Sequence, residues 1–300
     1  MDKTVAEFEK IWYHNMKFSA LLKKEAAVLS DNRAIGLFDS GIGGLTVAKE
    51  IMKELPDESI VYFGDPGRVP YGTKSHDIIK KYALQDEKFL LKNNVKLIVA
   101  ACGTVSSVAY DTGKTLPVPF VEVVSNSVKA AVRATVNKKI GVLATSATIK
   151  TQAHKKQILK LIPDAEVIEN SATMLVSLVE AGWTDKNDPV VKETVRRYLE
   201  PMKKAGVDTL ILGCTHFPVL EDIIASEMGE GTALINMGTA TAQAVKAQLE
   251  SSGLSNDGLS LPEYKFFVSD KTEAFEKTAA TLLGMDIEKD FLEQVDIEAV

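Results

Sequence analysis

The sequence predicts an α/β protein built from two similar, doubly wound parallel-sheet α/β domains that face each other across a central cleft, with an N-terminal helical extension. Short apolar runs rich in Val, Ile and Leu alternate with helix-like segments, a pattern typical of parallel sheets covered on both faces. The pair Ile35-Gly36 recurs as Ile140-Gly141 105 positions later, and the two cysteines, Cys102 and Cys214, are 112 positions apart. Such similar offsets indicate two halves of like topology.

The helical extension is predicted for residues 1–33. Apolar side chains recur at roughly helical spacing as far as Val28, and Asp31-Asn32 then breaks the pattern. Trp12 and Tyr13 favour packing of this segment on the body or on a partner over a solvated tail.

Strand, turn and helix alternate through the body that follows the extension. In the first half, we predict strands at Ala34–Asp39, at Ser59–Asp65, from Val95 to Ala101, and at Leu116–Val124, the last as a crossover or edge strand. The predicted helices of this half are Leu45–Leu55, Ser75–Asn93 and Ser127–Val136.

The second half repeats this alternation and then returns to the first. Strands are predicted within Lys139–Ile149 and at Ala165–Glu169, Val207–Gly213, 232–236 and Tyr264–Ser269. Helices are predicted at Ala172–Gly182, Pro189–Ala205, Thr239–Glu250 and Lys271–Leu283, before an acidic and partly loose tail, 284–300. The expected first domain comprises 34–124 plus 237–300, and the second comprises 125–236.

Composition and charge exclude several classes of protein. The 300 residues carry a net charge of −6, whereas a nucleic-acid-binding surface would need a basic face. No apolar run is long enough for a membrane span, and acidic residues near the N-terminus argue against a signal peptide. Two cysteines at this spacing form neither a disulfide scaffold nor a metal site, so we expect a cytoplasmic protein with reduced thiols.

The two cysteines occupy equivalent places at the ends of strands. Cys102 follows the run from Val95, and Cys214 follows the run from Val207, each beside a threonine. Ligands bind at the carboxyl ends of parallel strands, and a helix N-terminus favours the thiolate form of cysteine. A single buried cysteine is more often a small hydrophobic core residue. Two cysteines at equivalent strand ends instead predict that both thiols face one site.

The Gly-rich turn after the first strand resembles a dinucleotide-binding loop but departs from it. The pattern G-x-G-x-x-G would require glycine at position 46, which is Thr46. We expect instead that Asp39 and Ser40 point into a pocket, and that the glycines let the backbone approach a ligand. Capping of the following helix is the structural alternative for Asp39.

Two thiols on opposite sides of a small substrate can move a proton from one face of a carbon to the other. One thiolate would abstract the α-proton while the other thiol delivers a proton. Asp39 and His216 are the candidates for setting the two protonation states, although a histidine at a strand end can simply cap backbone groups. The hydroxyls of Ser40, Thr104 and Thr215 are candidates for holding substrate carboxylates.

Four stretches carry a resemblance to a known family: IGLFDSGIGGLTV, IVYFGDPGRVPYG, VAACGT and LILGCTHFPVL. From residue 34 to about 285, the chain resembles the cofactor-independent aspartate/glutamate racemase family. The resemblance implies interconversion of L- and D-glutamate by two bases, without pyridoxal phosphate or metal, to supply D-glutamate for peptidoglycan, by a homodimer. It implies the bases Cys102 and Cys214, with Asp39 and His216 as helpers and Asp65 and Glu180 as auxiliary residues. The implied substrate-binding residues are Asp39, Ser40, Pro70, Tyr71, Gly72, Gly103, Thr104, Thr215 and His216.

The chain departs from the family pattern beside the first cysteine. Gly103 stands where the family usually has an asparagine, which removes an amide expected to bind the substrate. The Gly103 backbone N–H or Asn126 could replace that contact. Phe217 stands where tyrosine is common, a mild change. The open alternatives are therefore a racemase of another acidic amino acid such as aspartate, a decarboxylase or isomerase of the same superfamily, and a non-catalytic metabolite-binding relative.

Overall fold

The fold consists of two parallel sheets with helices on their faces. The structure, a computed structural model, describes residues 30–271, 273–284 and 292–300. Most of the predicted helical extension therefore lies outside the described residues. No helix within the described ranges combines the length and the apolar character needed to cross a bilayer.

The first sheet contains six strands, all parallel. Its strands are β1 (Ile35–Asp39), β2 (Ile60–Gly64), β3 (Leu97–Ala100), β4 (Phe120–Glu122), β9 (Tyr264–Val268) and β10 (Leu292–Gln294). Their order across the sheet is β10-β9-β2-β1-β3-β4. Every residue of β1, β2 and β3 is buried, as the uninterrupted apolar runs predict.

The second sheet contains four parallel strands from the middle of the chain. They are β5 (Lys139–Ala144), β6 (Glu166–Ser171), β7 (Thr209–Gly213) and β8 (Ala233–Asn236), in the order β6-β5-β7-β8. The order β2-β1-β3-β4 in the first sheet is the same arrangement, so β3 and β7 are equivalent strands. The predicted two-part α/β fold is confirmed, and its internal similarity places the two cysteines at matching positions.

Twelve α-helices in the described part of the chain cover the sheets. They are α1 (Leu45–Glu54), α2 (His76–Lys92), α3 (Gly103–Val108), α4 (Tyr110–Gly113), α5 (Val123–Ala134), α6 (Ser146–Thr151), α7 (Ala153–Leu161), α8 (Thr173–Glu180), α9 (Pro189–Ala205), α10 (Glu221–Met228), α11 (Met237–Ser252) and α12 (Glu273–Leu283). Helix α11 packs against both α1 and α5. The division into domains at 124/125 and 236/237 stays a prediction, and the strand membership of the two sheets supports it.

Two predicted segments differ from the structure for physical reasons. The edge strand β4 is only three residues long, because the Glu122 carboxylate accepts the backbone N–H groups of Val124 and Ser125 and starts α5 there. The end of the acidic tail is packed rather than loose: β10 pairs with β9, and Leu292 and Ile297 are buried.

A buried ion pair fixes the segment that enters the body. The side chain of Lys96 is fully buried, and its Nζ lies 2.5 Å from Glu58 Oε2 and 2.5 Å from the carbonyl oxygen of Asp31. Glu58 also accepts the backbone N–H of Asn256 at 2.9 Å. The pair therefore joins the entering segment, the strand β3 and the loop before β9 at the edge of the sheet away from the cysteines.

Removing one partner of this pair should destabilise the fold. We expect Lys96→Met to lower the free energy of unfolding by about 3 kcal/mol, because Glu58 is left buried without its cation. Urea unfolding followed by circular dichroism measures the change. The matched control is Lys138→Met, whose partner Asp164 and own side chain are both more than half exposed, and it should leave stability nearly unchanged. Equal losses in the two variants would contradict this account.

Candidate active site

The carboxyl ends of β1, β3, β5 and β7 surround one cavity of about 670 Å³ between the two sheets. All predicted site residues but one line it: Asp39, Ser40, Pro70, Tyr71, Gly72, Cys102, Gly103, Thr104, Glu180, Cys214, Thr215 and His216. The exception is Asp65. A parallel sheet ends all its strands at the same edge, so residues distant in sequence converge here. Both free thiols face this cavity.

Cys102 lies directly before helix α3 and is 6% exposed. Its Sγ is 3.2 Å from the hydroxyl oxygen of Ser40, which follows β1. Burial, and then the neighbouring charge of Asp39, raise the pKa of the Cys102 thiol to about 12. The resting state of this cysteine is therefore the protonated thiol, which can donate a proton.

Asp39 closes β1 beneath the cavity and is 2% exposed. Its Oδ2 accepts the backbone N–H of Gly41 at 3.0 Å, whereas its Oδ1 has no hydrogen-bond partner among the residues described. Burial raises the pKa of Asp39, and the charge of His216 opposes that shift. The side chain does not cap α1, whose N-cap is Gly44 without a side-chain hydrogen bond. An unsatisfied carboxylate oxygen at the cavity is available to a ligand or to the Cys102 thiol.

Cys214, His216 and Glu180 form a line from the cavity to its edge. The Nδ1 atom of His216 is 3.8 Å from Cys214 Sγ, and its Nε2 is 3.2 Å from Glu180 Oε1. Burial alone would lower the pKa of His216, but the Cys214 sulfur and the Glu180 carboxylate outweigh it and raise that pKa to about 10. A protonated His216 therefore stands beside the second sulfur.

The Gly-rich turn does not approach a ligand in the way the sequence suggested. A Cβ on Gly43 would overlap Thr215 Oγ1, and a Cβ on Gly44 would lie 2.6 Å from Asp39 Cβ. Gly41 alone of the turn's glycines lines the cavity. The absence of side chains at Gly43 and Gly44 allows close packing within the chain, because the turn lies between β1 and the loop that follows β7.

Asp65 lies below the cavity wall rather than in it. The Tyr71 hydroxyl donates a hydrogen bond to Asp65, and Arg68 Nε is 2.6 Å from Asp65 Oδ2. Arg68 also reaches Asp86 Oδ1 at 2.9 Å and, in the C-terminal segment, Glu298 Oε1 at 3.2 Å. Burial raises the pKa of both Asp65 and Tyr71. Asp65 therefore acts on the site through Tyr71, which lines the cavity.

The sequence reasoning missed a group of polar residues from the second sheet that line the same cavity: Thr145, Ser146, Thr148, Lys150, Thr173 and Ser177. Thr148 is buried, and its hydroxyl oxygen lies 3.4 Å from that of Thr104 and 3.1 Å from that of Thr145. The recurrence of Ile35-Gly36 as Ile140-Gly141 makes β5 the counterpart of β1. The equivalence of β1 and β5 would have assigned the hydroxyl-rich sequence after β5 to the site.

The space around Gly103 is narrow, and Asn126 cannot serve there. A Cβ at position 103 would lie 3.1 Å from the carbonyl oxygen of Gly213 and 3.7 Å from the Thr148 hydroxyl oxygen. Asn126 donates to the carbonyl oxygen of Glu122 and lines a separate cavity between α5 and α11. The suggestion that Asn126 replaces a missing amide is therefore wrong. The Thr148 hydroxyl is a polar side-chain group beside the gap.

The cavity combines opposite charges with hydroxyl and thiol groups. Asp39 and Glu180 supply carboxylates, Lys150 and a protonated His216 supply cations, and the remaining polar lining is mainly hydroxyl. No three His, Cys, Asp or Glu side chains in the described ranges are grouped as metal ligands. Such a lining suits a small zwitterionic molecule.

Comparison with known proteins extends the match beyond the motifs. The Asp/Glu/hydantoin racemase family profile matches residues 45–245. A glutamate racemase from Neisseria meningitidis is 42% identical over 259 residues, which cover 86% of this chain and 95% of that protein. A glutamate racemase from Geobacter metallireducens is 40% identical over 253 residues, which cover 84% of this chain and 93% of that protein.

Solved structures agree with the sequence comparison. A glutamate racemase from Bacillus anthracis has a TM-score of 0.83 at 34% identity, covering 89% of this chain and 98% of its own. The Francisella tularensis glutamate racemase, solved in complex with D-glutamate, has a TM-score of 0.81 at 36% identity, covering 90% of this chain and all of its own. Because the sequence match extends over most of the chain and the fold is shared, the chain belongs to the Asp/Glu/hydantoin racemase family.

Proposed function

We propose that this protein is a glutamate racemase that interconverts L- and D-glutamate by proton transfer at Cα between Cys102 and Cys214. The observation that carries the proposal is the presence of two free thiols at equivalent strand ends, facing one cavity from opposite sheets. The glutamate racemases that the chain resembles at about 40% identity support the choice of substrate.

The two thiols divide the reaction into a removal and a delivery of the proton. A thiolate takes the α-proton, the Cα–H bond breaks, and its electron pair is delocalised into the substrate carboxylate. The opposite thiol then gives its proton to the other face of Cα and becomes the thiolate. The enzyme ends with the same number of protons, located on the other sulfur. The reverse reaction starts from that second state.

Protonation in the site is asymmetric, which gives each sulfur its starting role. Cys102 carries a raised pKa and remains a thiol, whereas a protonated His216 stands beside Cys214, with its Nδ1 3.8 Å from the sulfur. We therefore propose Cys214 as the base and Cys102 as the acid in the resting enzyme. The buried carboxyl group of Asp39 lies beside Cys102 and raises the pKa of its thiol, and Glu180 helps to raise the pKa of His216.

The substrate carboxylates would be held by hydroxyls and backbone N–H groups from both sheets. Ser40 and Thr104 come from the first sheet, and Thr148 and Thr215 come from the second. Pro70, Tyr71 and Gly72 would form the wall on which the substrate side chain packs.

We infer a cytoplasmic homodimer that binds glutamate and no nucleic acid, whose D-glutamate supplies peptidoglycan synthesis. The net charge of −6 supports the absence of nucleic-acid binding, and the family resemblance supports the product's use and the dimer.

The function is tested by incubating the protein separately with L- and D-glutamate in D2O. We expect optical rotation to decay to zero from either enantiomer, with one solvent deuterium incorporated at Cα of each product molecule. L- and D-aspartate serve as the competing substrates, because the narrow space at Gly103 could alter specificity. Turnover of aspartate alone would make aspartate the substrate instead of glutamate. Absence of deuterium exchange at Cα of both amino acids would overturn the assignment as a racemase.

Single serine replacements test whether each thiol acts. We expect Cys102→Ser and Cys214→Ser each to lower the racemisation kcat by about 10³-fold or more, because a serine hydroxyl is a far weaker base and the other sulfur cannot complete the transfer. Polarimetry measures the rate, and the matched control is Ser106→Ala, a buried position on α3 outside the cavity lining. A serine variant that kept most of the activity would exclude that cysteine as a base.

The Glu180–His216 pair predicts a pH effect with a definite sign. The pKa of His216 in the folded protein is about 10, above the ordinary 6.5. Protonation of His216 therefore contributes its full stabilisation of the fold below pH 6.5, and this contribution is lost as the pH rises through about 10. Removal of the carboxylate in Glu180→Gln lowers this pKa, so the alkaline fall of kcat/KM should move to lower pH.

The pH profile of kcat/KM measures this shift, with Glu200→Gln as the control. Glu200 forms a surface pair with Lys204 on α9, so its replacement should leave the profile unchanged. An unchanged alkaline limb in Glu180→Gln would show that Glu180 does not hold the His216 proton.

A further inference from the structure

The two halves of the site touch directly where the Gly-rich turn meets the loop after β7. The turn leading into α1 packs so closely on this loop that a Cβ at Gly43 would meet both Thr215 Oγ1 and the His216 ring. Thr215 lies between Cys214 and His216. The turn of the first sheet therefore supports the segment that carries the second thiol and its histidine.

Thr46, in the first turn of α1, makes a hydrogen-bond contact across this boundary. Its side chain is buried, at 5% exposure, and its hydroxyl oxygen lies 2.8 Å from the carbonyl oxygen of Thr215. The same hydroxyl is 2.9 Å from the carbonyl oxygen of Gly43, an ordinary contact of a threonine with its own helix start. One hydroxyl proton is thus shared between two carbonyls, one on each side of the boundary.

The loop after β7 makes few hydrogen bonds of its own at this point. The N–H of Phe217 donates to the carbonyl oxygen of Cys214, and the N–H of Val219 donates to that of His216. In the residues that the structure describes, no backbone N–H donates to the Thr215 carbonyl between them. A buried carbonyl group without a donor is unfavourable, so the Thr46 hydroxyl is the group that satisfies it.

We propose that Thr46 is a positioning residue that fixes the Cys214–His216 segment relative to the first half of the site. The inference rests on the proposed two-thiol racemisation. Thr46 touches neither reacting sulfur, and it acts by anchoring the peptide unit between Cys214 and His216. Displacement of that peptide moves the second sulfur away from Cα, whereas Cys102 is held by its own strand and by Ser40.

The predicted consequence is a one-sided defect. Thr46→Val keeps the shape of the side chain and removes the hydroxyl, so we expect racemisation kcat to fall about tenfold with KM within about twofold. Thr46→Ser keeps the hydroxyl and should restore most of the rate. The matched control is Thr239→Val, which removes a threonine hydroxyl 3.0 Å from Glu50 on the same helix α1, and it should leave kcat unchanged.

One-base reporters separate the two sulfurs. Glutamate analogues with a leaving group on Cβ need only one proton abstraction, after which the leaving group departs with the electron pair and no second proton is delivered. Cys102→Ser and Cys214→Ser identify which enantiomer depends on which sulfur. Thr46→Val should slow elimination from the enantiomer that depends on Cys214 and leave the other near the wild-type rate. Equal slowing of both enantiomers, no slowing, or failure of Thr46→Ser to recover would overturn the proposal.

A readout that needs no turnover distinguishes this proposal from the proposed function. Alkylation of each cysteine by iodoacetamide can be followed by peptide mass spectrometry in wild type and in Thr46→Val. We expect the rate at Cys214 to change about fivefold or more, and the rate at Cys102 to change less than about twofold. This asymmetry would support Thr46 as the anchor even if the wild type failed to racemise glutamate, and equal changes at both cysteines would reject it.

Discussion

The meeting of two strand ends across one cavity is the constraint on which the rest of the structure depends. Cys102 follows β3, and Cys214 follows β7, in two sheets whose central strands have the same order. Parallel strands place their carboxyl ends at one edge of a sheet. Because these edges of the two sheets face each other, one thiol from each half reaches a shared space. The apolar strands, their helix cover and the close packing at Gly43 and Gly103 all serve to hold these edges together.

The two sulfurs are equivalent in topology but not in electrostatic surroundings. Cys102 lies beside the buried carboxyl group of Asp39, which disfavours its thiolate, and beside the hydroxyl of Ser40. Cys214 lies beside His216, whose proton is retained with the help of Glu180. A symmetric reaction is thus carried out by an asymmetric site. The number of protons on the two sulfurs stays constant, and only the sulfur that carries the proton changes.

The sequence predicted the fold and the centre of the site because both depend on local patterns. Apolar runs mark buried strands, and reactive residues at their ends mark the ligand edge, so Cys102, Cys214 and Asp39 could be recognised without coordinates. The packed C-terminal segment was missed because it depends on Arg68 and Glu298, which are 230 positions apart. Asp65 was assigned to the site through the family resemblance, but its contacts with Arg68 and with the Tyr71 hydroxyl hold it beneath the wall.

The roles of the glycines and hydroxyls also required three-dimensional information. Gly43 and Gly44 look like a ligand-binding turn in sequence, whereas their neighbours in space are Thr215 and Asp39. Thr148 belongs to the site because β5 lies opposite β1 across the cavity, a relation that the recurrence of Ile35-Gly36 as Ile140-Gly141 indicates but that no pattern around Thr148 itself contains.

The most direct test of the central claim is a crystal structure of the wild-type protein with bound glutamate. The account predicts that Cα lies between Cys102 Sγ and Cys214 Sγ, with each sulfur roughly 3–4 Å away on opposite faces of the carbon. Glutamate bound outside this cavity, or with both sulfurs on the same face of Cα, would contradict it.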